Sequence, residues 1–340
     1  MIQTAFVCTK PFRFALFTSP IFILKAMKPA PASQRDRPST EPTWITVVRL
    51  LRWDKPAGRL ILMIPALWAV VLATLSRSLL EDTTSQFPEW PLLGVIVLGT
   101  LATSAGGCVV NDLWDRNIDT QVARTRNRPL AAKALSVKVG IIVALVAFFC
   151  AWGLSFYLNP LSFWLCVAAV PVIVLYPLAK RVFPIPQLVL SIAWGFAVLI
   201  SWSAVTASLE FSTWLLWAAT VLWTLGFDTV YAIPDREFDQ KLGINSSALF
   251  FGARSPQAVG LFFLGTTLFL IWLGATLPLG LFYWLSISIA AFLWLRQYRQ
   301  LSHPVPSPKV YGHIFRQNVT IGFILLAGML LSSLIPSPLI

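Results

Sequence analysis

The chain has 340 residues, of which 57% are hydrophobic and only 12% charged, with a mean hydropathy of +0.73. A soluble globular domain, roughly half apolar and a quarter charged, is excluded. The formal net charge of +12 points to anionic headgroups and an anionic substrate rather than nucleic acid, because the basic residues follow loop position.

Residues 1–43 are basic, proline-rich after Met27 and poor in acids, and their one apolar stretch, Phe14–Leu24, is too short to span a bilayer. Three readings fit: a disordered tail, a targeting segment, or a mis-assigned extension with Met27 as the true initiator. No catalytic residue is expected there, and residues 44–340 are expected to form one membrane domain.

Nine apolar runs then follow, each long enough to cross as a helix. They are Leu60–Ser76, Leu92–Val110, Val139–Leu158, Leu161–Leu178, Leu188–Ala207, Thr213–Tyr231, Ala258–Leu277, Leu279–Leu295 and Val319–Ile335. The expected fold is all-α and integral to the membrane, with nine transmembrane helices enclosing a central cavity.

Of the 26 Lys and Arg residues, 25 precede the first run or lie in the even-numbered connections, and only Arg77 falls on the other side. By the positive-inside rule the N-terminus and those connections face the cytoplasm, and nine crossings send the C-terminus out. Cys8, Cys108, Cys150 and Cys166 lack metal or redox spacing, and His303 and His313 are the only histidines. A His-based metal or haem site is therefore not expected.

Seven of the 14 acids fall in two cytoplasmic clusters, one after the second run and one after the sixth. In the first, Asp112, Asp115 and Asp119 stand at i, i+3 and i+7, one face of a helix if the run continues. In the second, Asp228, Tyr231, Asp235 and Asp239 repeat that register unless Pro234 breaks it. Carboxylates packed this densely repel unless a cation lies among them, and oxygen ligands of this kind suit Mg²⁺ shared with substrate phosphates. Two stripes can then clamp a diphosphate. Exposed acids paired with Arg116 and Arg236 are the plainer alternative. Nearby, Arg124, Arg126, Arg128, Lys180 and Arg181 offer guanidinium forks and an ammonium for phosphate oxygens, or serve as positive-inside anchors. Residue chemistry alone reaches a Mg²⁺-dependent site for an anionic, amphipathic substrate.

At these residues the sequence resembles the UbiA superfamily of intramembrane aromatic prenyltransferases, whose NDxxDxxxD and DxxxD motifs match Asn111–Asp119 and Asp235–Asp239. Further matches to its 4-hydroxybenzoate polyprenyltransferase branch are Arg52–Gly58, Arg128–Leu130, Tyr176–Arg181 with Gln187, and Gly243–Gly252. Within that branch the solanesyl-transferring enzymes of cyanobacteria are most similar. The resemblance implies transfer of a polyprenyl group, solanesyl by type, from its diphosphate to the carbon ortho to the hydroxyl of 4-hydroxybenzoate, a step towards plastoquinone-type quinones. It implies that Asp112, Asp115, Asp119, Asp235 and Asp239 hold Mg²⁺, and that Asn111, Arg128, Lys180, Arg181 and Lys241 contact the diphosphate. Asp228 and Tyr231 would stabilise the carbocation or orient the acceptor, and Arg52 and Lys55 would meet the acceptor carboxylate. No protein partner is implied. Two departures from the branch are Phe238, where an acid is usual, and Asn245, where a lysine is common. The rivals are a transferase for a naphthoate, homogentisate or porphyrin acceptor, and a transporter. The latter is disfavoured because no Lys, Arg, Asp or Glu interrupts the runs before their cytoplasmic ends.

Overall fold

A computed structural model describes residues 41–334 except 56, 82–87, 123, 304–306 and 308. The readings made for residues 1–40, Met27 included, lie outside the described residues. All regular structure among the described residues is helical: α1 (Thr43–Leu50), α2 (Ala57–Glu81), α3 (Trp90–Asp119), α4 (Val137–Ser155), α5 (Pro160–Val182), α6 (Pro186–Thr206), α7 (Phe211–Ala232), α8 (Arg236–Leu242), α9 (Ser247–Phe251), α10 (Ser255–Thr276), α11 (Leu281–Leu301) and α12 (Lys309–Leu334).

Eight of these helices are long and apolar enough to cross a membrane: α2 to α7, α10 and α12. Of the nine expected spans, length and apolar composition support eight. The remaining expected span is α11, a 21-residue helix whose Trp, Tyr and Ser residues, with Arg296 and Arg299 near its end, dilute its apolar character. On α4 the residues Ile142, Leu145, Val146 and Phe149 stand exposed. A helix apolar on its outer face as well as its inner one belongs in lipid.

Helices α2, α6, α7, α10, α11 and α12 share one core around Trp68, Trp202, Trp223, Phe227, Phe263 and Trp294. Lipid tails are as apolar as leucine, so close backbone approach and polar contacts must bind these helices. A Cβ on Gly322 of α12 would come within 2.8 Å of Ile64 on α2, and one on Gly328 within 2.8 Å of the Phe282 carbonyl on α11. Fully buried Asn318 of α12 accepts from the indole N–H groups of Trp223 (2.9 Å) and Trp294 (3.0 Å) and donates to Gln297 Oε1 (3.1 Å). One side chain thus joins α7, α11 and α12.

Two local features shape the end of the bundle that carries the acids. Helix α3 runs for 30 residues through the whole first motif, so the expected Asp-rich loop is helix, with no proline or glycine between Val110 and Asp119 to stop it. By contrast α7 stops at Ala232, and Ile233–Asp235 form a 3₁₀ turn, because Pro234 lacks an N–H and its ring crowds the preceding turn. The register from Asp228 to Asp239 is broken there. Gly243, at φ +63, caps α8 in the left-handed region, which glycine enters without a Cβ penalty.

Replacing Asn318 by Leu removes three interhelical hydrogen bonds, each worth about 0.6 kcal/mol in a membrane protein. A loss of about 2 kcal/mol is expected, read as an earlier midpoint when the detergent-solubilised protein is unfolded by titration with dodecyl sulfate.

Candidate active site

The last turns of α3 place Asp112, Asp115 and Asp119 on one buried face, only 2%, 3% and 5% exposed. Ionised carboxylates cannot stay buried without compensation, and cations from three other segments supply it. Arg52, between α1 and α2, donates to Asp112 at 2.7 Å. Arg128, in the segment after α3, lies 3.2 Å from Asp112 and 2.7 Å from Asp119. Lys180, near the end of α5, donates to Asp115 Oδ2 at 2.8 Å.

Arg52 reaches its position with a left-handed backbone, φ +55, a conformation uncommon for a long side chain and held where surrounding contacts over-determine it. Burial works against its charge, but the Asp112 carboxylate more than offsets that and holds the guanidinium pKa above the ordinary arginine value. A small cluster of Leu50 of α1, Val109 and Val110 of α3, and Leu130 and Leu135 pins α1 and the Arg128 segment to the end of α3.

The second cluster meets the first through Arg124. Its guanidinium pairs with Asp235, donates to the Tyr231 hydroxyl at 2.6 Å and lies over that ring, 4.7 Å from the centroid. Burial would lower the Arg124 pKa, yet Tyr231 and Asp235 together raise it. Four carboxylates, Asp112, Asp115, Asp119 and Asp235, are thus matched by Arg52, Arg124, Arg128 and Lys180.

Hydrogen bonds fix the surrounding frame. Tyr176 of α5 donates to Asn111 Oδ1 at 3.1 Å, and the Asn245 N–H donates to the Lys180 carbonyl at 2.8 Å. Gln187 Oε1 accepts from the Ser247 N–H at 2.7 Å, while the hydroxyls of Ser247 and Thr229 meet at 2.8 Å. The segment after α8 is therefore tied to α5, α6 and α7.

These groups surround the mouth of a cavity of about 810 Å³ whose depth is apolar, lined by residues such as Leu62, Ile96, Phe148, Trp152 and Ile200. Asp115, Asp119, Asp228, Tyr231, Asp235 and Asp239 reach it, with Asn111, Arg128, Lys180, Arg52 and Lys55. Asp112 sits behind Arg52 and Arg128. Two expected diphosphate ligands lie elsewhere: Arg181 donates to the Trp114 carbonyl at 2.9 Å, and exposed Lys241 lies near the Phe238 ring. Glu237 and Phe238 are likewise exposed, so that departure from the resembled motif falls outside the cavity, whereas Asn245 lines it.

Among the described residues no three acidic, His or Cys side chains form a metal cage by themselves. Mg²⁺ does not need one, since it commonly takes one or two carboxylates, water and substrate phosphates. The donor set fits that habit: Asp115 Oδ1 is buried without a hydrogen-bond partner on a residue that faces the cavity.

The model of the UbiA prenyltransferase family matches residues 62–319. The chain is 68% identical to the 4-hydroxybenzoate solanesyltransferase of Synechocystis sp. over 294 residues, covering 86% of this chain and 97% of the relative. It is 38% identical over 290 residues to a 4-hydroxybenzoate octaprenyltransferase of Yersinia pseudotuberculosis, covering 85% and 96%. Among solved structures, a UbiA homologue from Aeropyrum pernix superposes with a TM-score of 0.69 at 22% identity, over 81% of this chain and 98% of that one. Another, from Archaeoglobus fulgidus bound to GPP and Mg²⁺, gives 0.63 at 16% identity over 83% and 99%.

Tyr176→Phe deletes the hydroxyl that holds Asn111 and little else. If the site takes a diphosphate, loss of one such hydrogen bond, about 1 kcal/mol, is expected to raise its KM about fivefold, with a midpoint shift smaller than that of Asn318→Leu.

Proposed function

The chain belongs to the UbiA prenyltransferase family, and from that premise we propose that it transfers a solanesyl group from solanesyl diphosphate to the ring carbon ortho to the hydroxyl of 4-hydroxybenzoate, on the way to a prenylated quinone. The carrying observation is the 68% identity to the Synechocystis 4-hydroxybenzoate solanesyltransferase across 97% of that protein. The site's chemistry supports it, since buried carboxylates and cations at the mouth of an apolar cavity suit a substrate with a diphosphate head and a hydrocarbon tail.

In this reading Asp115 and Asp119 on one side and Asp235 and Asp239 on the other would hold Mg²⁺, with Asp112 keeping Arg52 in place. The bound metal supplies Lewis-acid neutralisation of the leaving group. Arg128 and Lys180 turn from their carboxylates to the phosphate oxygens, and Asn111, steadied by Tyr176, offers its amide. Arg181 and Lys241 contribute positive potential near the mouth rather than direct contacts. The C–O bond breaks with its electron pair on the diphosphate, leaving an allylic cation in a pocket of apolar walls that limits attack by water. Asp228 and the Tyr231 ring face that cation. The ring carbon forms the new C–C bond, and the ring proton leaves to the diphosphate oxygens. The hydrocarbon tail lies in the apolar depth of the cavity.

The same reading sets the chain in the membrane with α11 as a ninth crossing and the site facing the cytoplasm. The placement of 25 of 26 basic residues supports that orientation.

Membranes containing the protein, given labelled 4-hydroxybenzoate, Mg²⁺ and a series of polyprenyl diphosphates, are expected to form a lipid-soluble product, with solanesyl diphosphate preferred. No labelled product with any donor would sink the assignment. Asp115→Ala and Asp235→Ala should each lower turnover by about 100-fold or more with unchanged membrane insertion, and chelation by EDTA should stop the reaction until Mg²⁺ is restored.

A further inference from the structure

Of the cations that line the cavity, Arg52, Arg124, Arg128 and Lys180 are each held by a carboxylate, while Lys55 and Arg316 are exposed. Arg59 is different. It sits in the first turn of α2, lines the cavity and is only 7% exposed. Its Nη1 donates to the Leu101 carbonyl of α3 at 3.3 Å, but Nε and Nη2 are buried with no hydrogen-bond partner.

A guanidinium anchored at a membrane surface normally extends its head to water. Here the head is turned inwards between α2 and α3, with the Trp53 ring 5.9 Å from its carbon. A buried, charged donor with free N–H groups is expensive to keep, and such groups persist where a ligand completes them. The geometry points to an anion, and the forked donor pattern of arginine matches a planar carboxylate.

We propose that Arg59 receives the carboxylate of the aromatic acceptor, an inference that rests on the transferase reading above. Position supports it. Arg59 meets the carbonyl of Leu101 on α3, and 14 residues of helix, about 20 Å, separate Leu101 from Asp115, which lines the same cavity. A carboxylate at Arg59, then the ring, the allylic carbon and the diphosphate at the aspartates fill that interval in order. Arg52, the acceptor ligand expected from the sequence, is committed to Asp112 and serves the carboxylate stripe instead. Arg59 acts here as a specificity-determining residue for acidic phenols.

The test compares wild type with Arg59→Gln and Arg59→Lys on two acceptors, 4-hydroxybenzoate and the neutral 4-hydroxybenzamide, alongside equilibrium dialysis of labelled 4-hydroxybenzoate with the purified protein. Arg59→Gln is expected to raise the acceptor KM for the acid about tenfold or more and to weaken its binding equally. The KM for polyprenyl diphosphate should stay unchanged, which also reports an intact fold. The preference for acid over amide should collapse in Arg59→Gln and partly return in Arg59→Lys, a pattern that a purely structural arginine does not produce. An unchanged acid KM and acid-to-amide ratio in Arg59→Gln, with an active wild type, overturns the role of Arg59 and leaves the transferase reading standing. A rise in the diphosphate KM instead assigns Arg59 to the donor and also overturns it. A wild type that neither binds nor prenylates the acid overturns both.

Discussion

Three carboxylates on one buried face of α3 are the constraint from which the rest of this end of the molecule follows. Asp112, Asp115 and Asp119 are nearly inaccessible, and carboxylates in such a place must be neutralised, paired or bound to metal. Pairing brings Arg52 up in a strained backbone, folds the segment after α3 back so that Arg128 reaches two aspartates, and draws the end of α5 in through Lys180. The frame of Tyr176, Gln187 and Asn245 then has a physical purpose. It holds the neutralising side chains and the second acidic segment at one distance from α3.

Much of this was legible in the chain. Charge scarcity makes position meaningful, and the two segments that hold half the acids are the ones whose aspartates meet at the cavity mouth. Helical spacing placed Asp112, Asp115 and Asp119 on a common face, and α3 does continue through them. What spacing cannot carry is the outcome at a breaker: Pro234 was visible, but whether it kinked or ended the helix depended on tertiary support, and the 3₁₀ turn that re-aims Asp235 is a packing result. Short basic segments were equally opaque. Lys180 and Arg181 are adjacent, and neighbouring residues on a helix point about 100° apart, so one enters the cavity and the other reaches a backbone carbonyl. Which of the two does so is decided by how α5 rotates against α3, information that the dipeptide lacks.

Arg59 illustrates a second kind of blindness. It stands just before the first apolar run, Leu60–Ser76, and positive-inside statistics account for any arginine at that end. Helix α2 begins three residues before that run, at Ala57, which turns a flanking residue into a buried one. A one-turn shift of a boundary is within the ordinary uncertainty of reading helix ends. In a membrane protein that same shift separates a hydrated anchor from a desolvated charge that needs a partner.

The charge balance at the mouth also constrains what can enter. Four carboxylates are each paired with a cation, so a bare diphosphate, with its several negative charges, would draw those cations away and leave their carboxylates uncompensated. A metal ion alone would displace the cations in the opposite sense. In the proposed reading, diphosphate and divalent metal together would satisfy both sets at once: the cations would turn to phosphate oxygens, and the aspartates they leave would hold the metal. The buried and unpartnered Asp115 Oδ1 shows that cations alone leave this arrangement one hydrogen bond short. A site balanced in this way discriminates against either component by itself, and the discrimination comes from the burial of the α3 carboxylates rather than from any single contact to substrate.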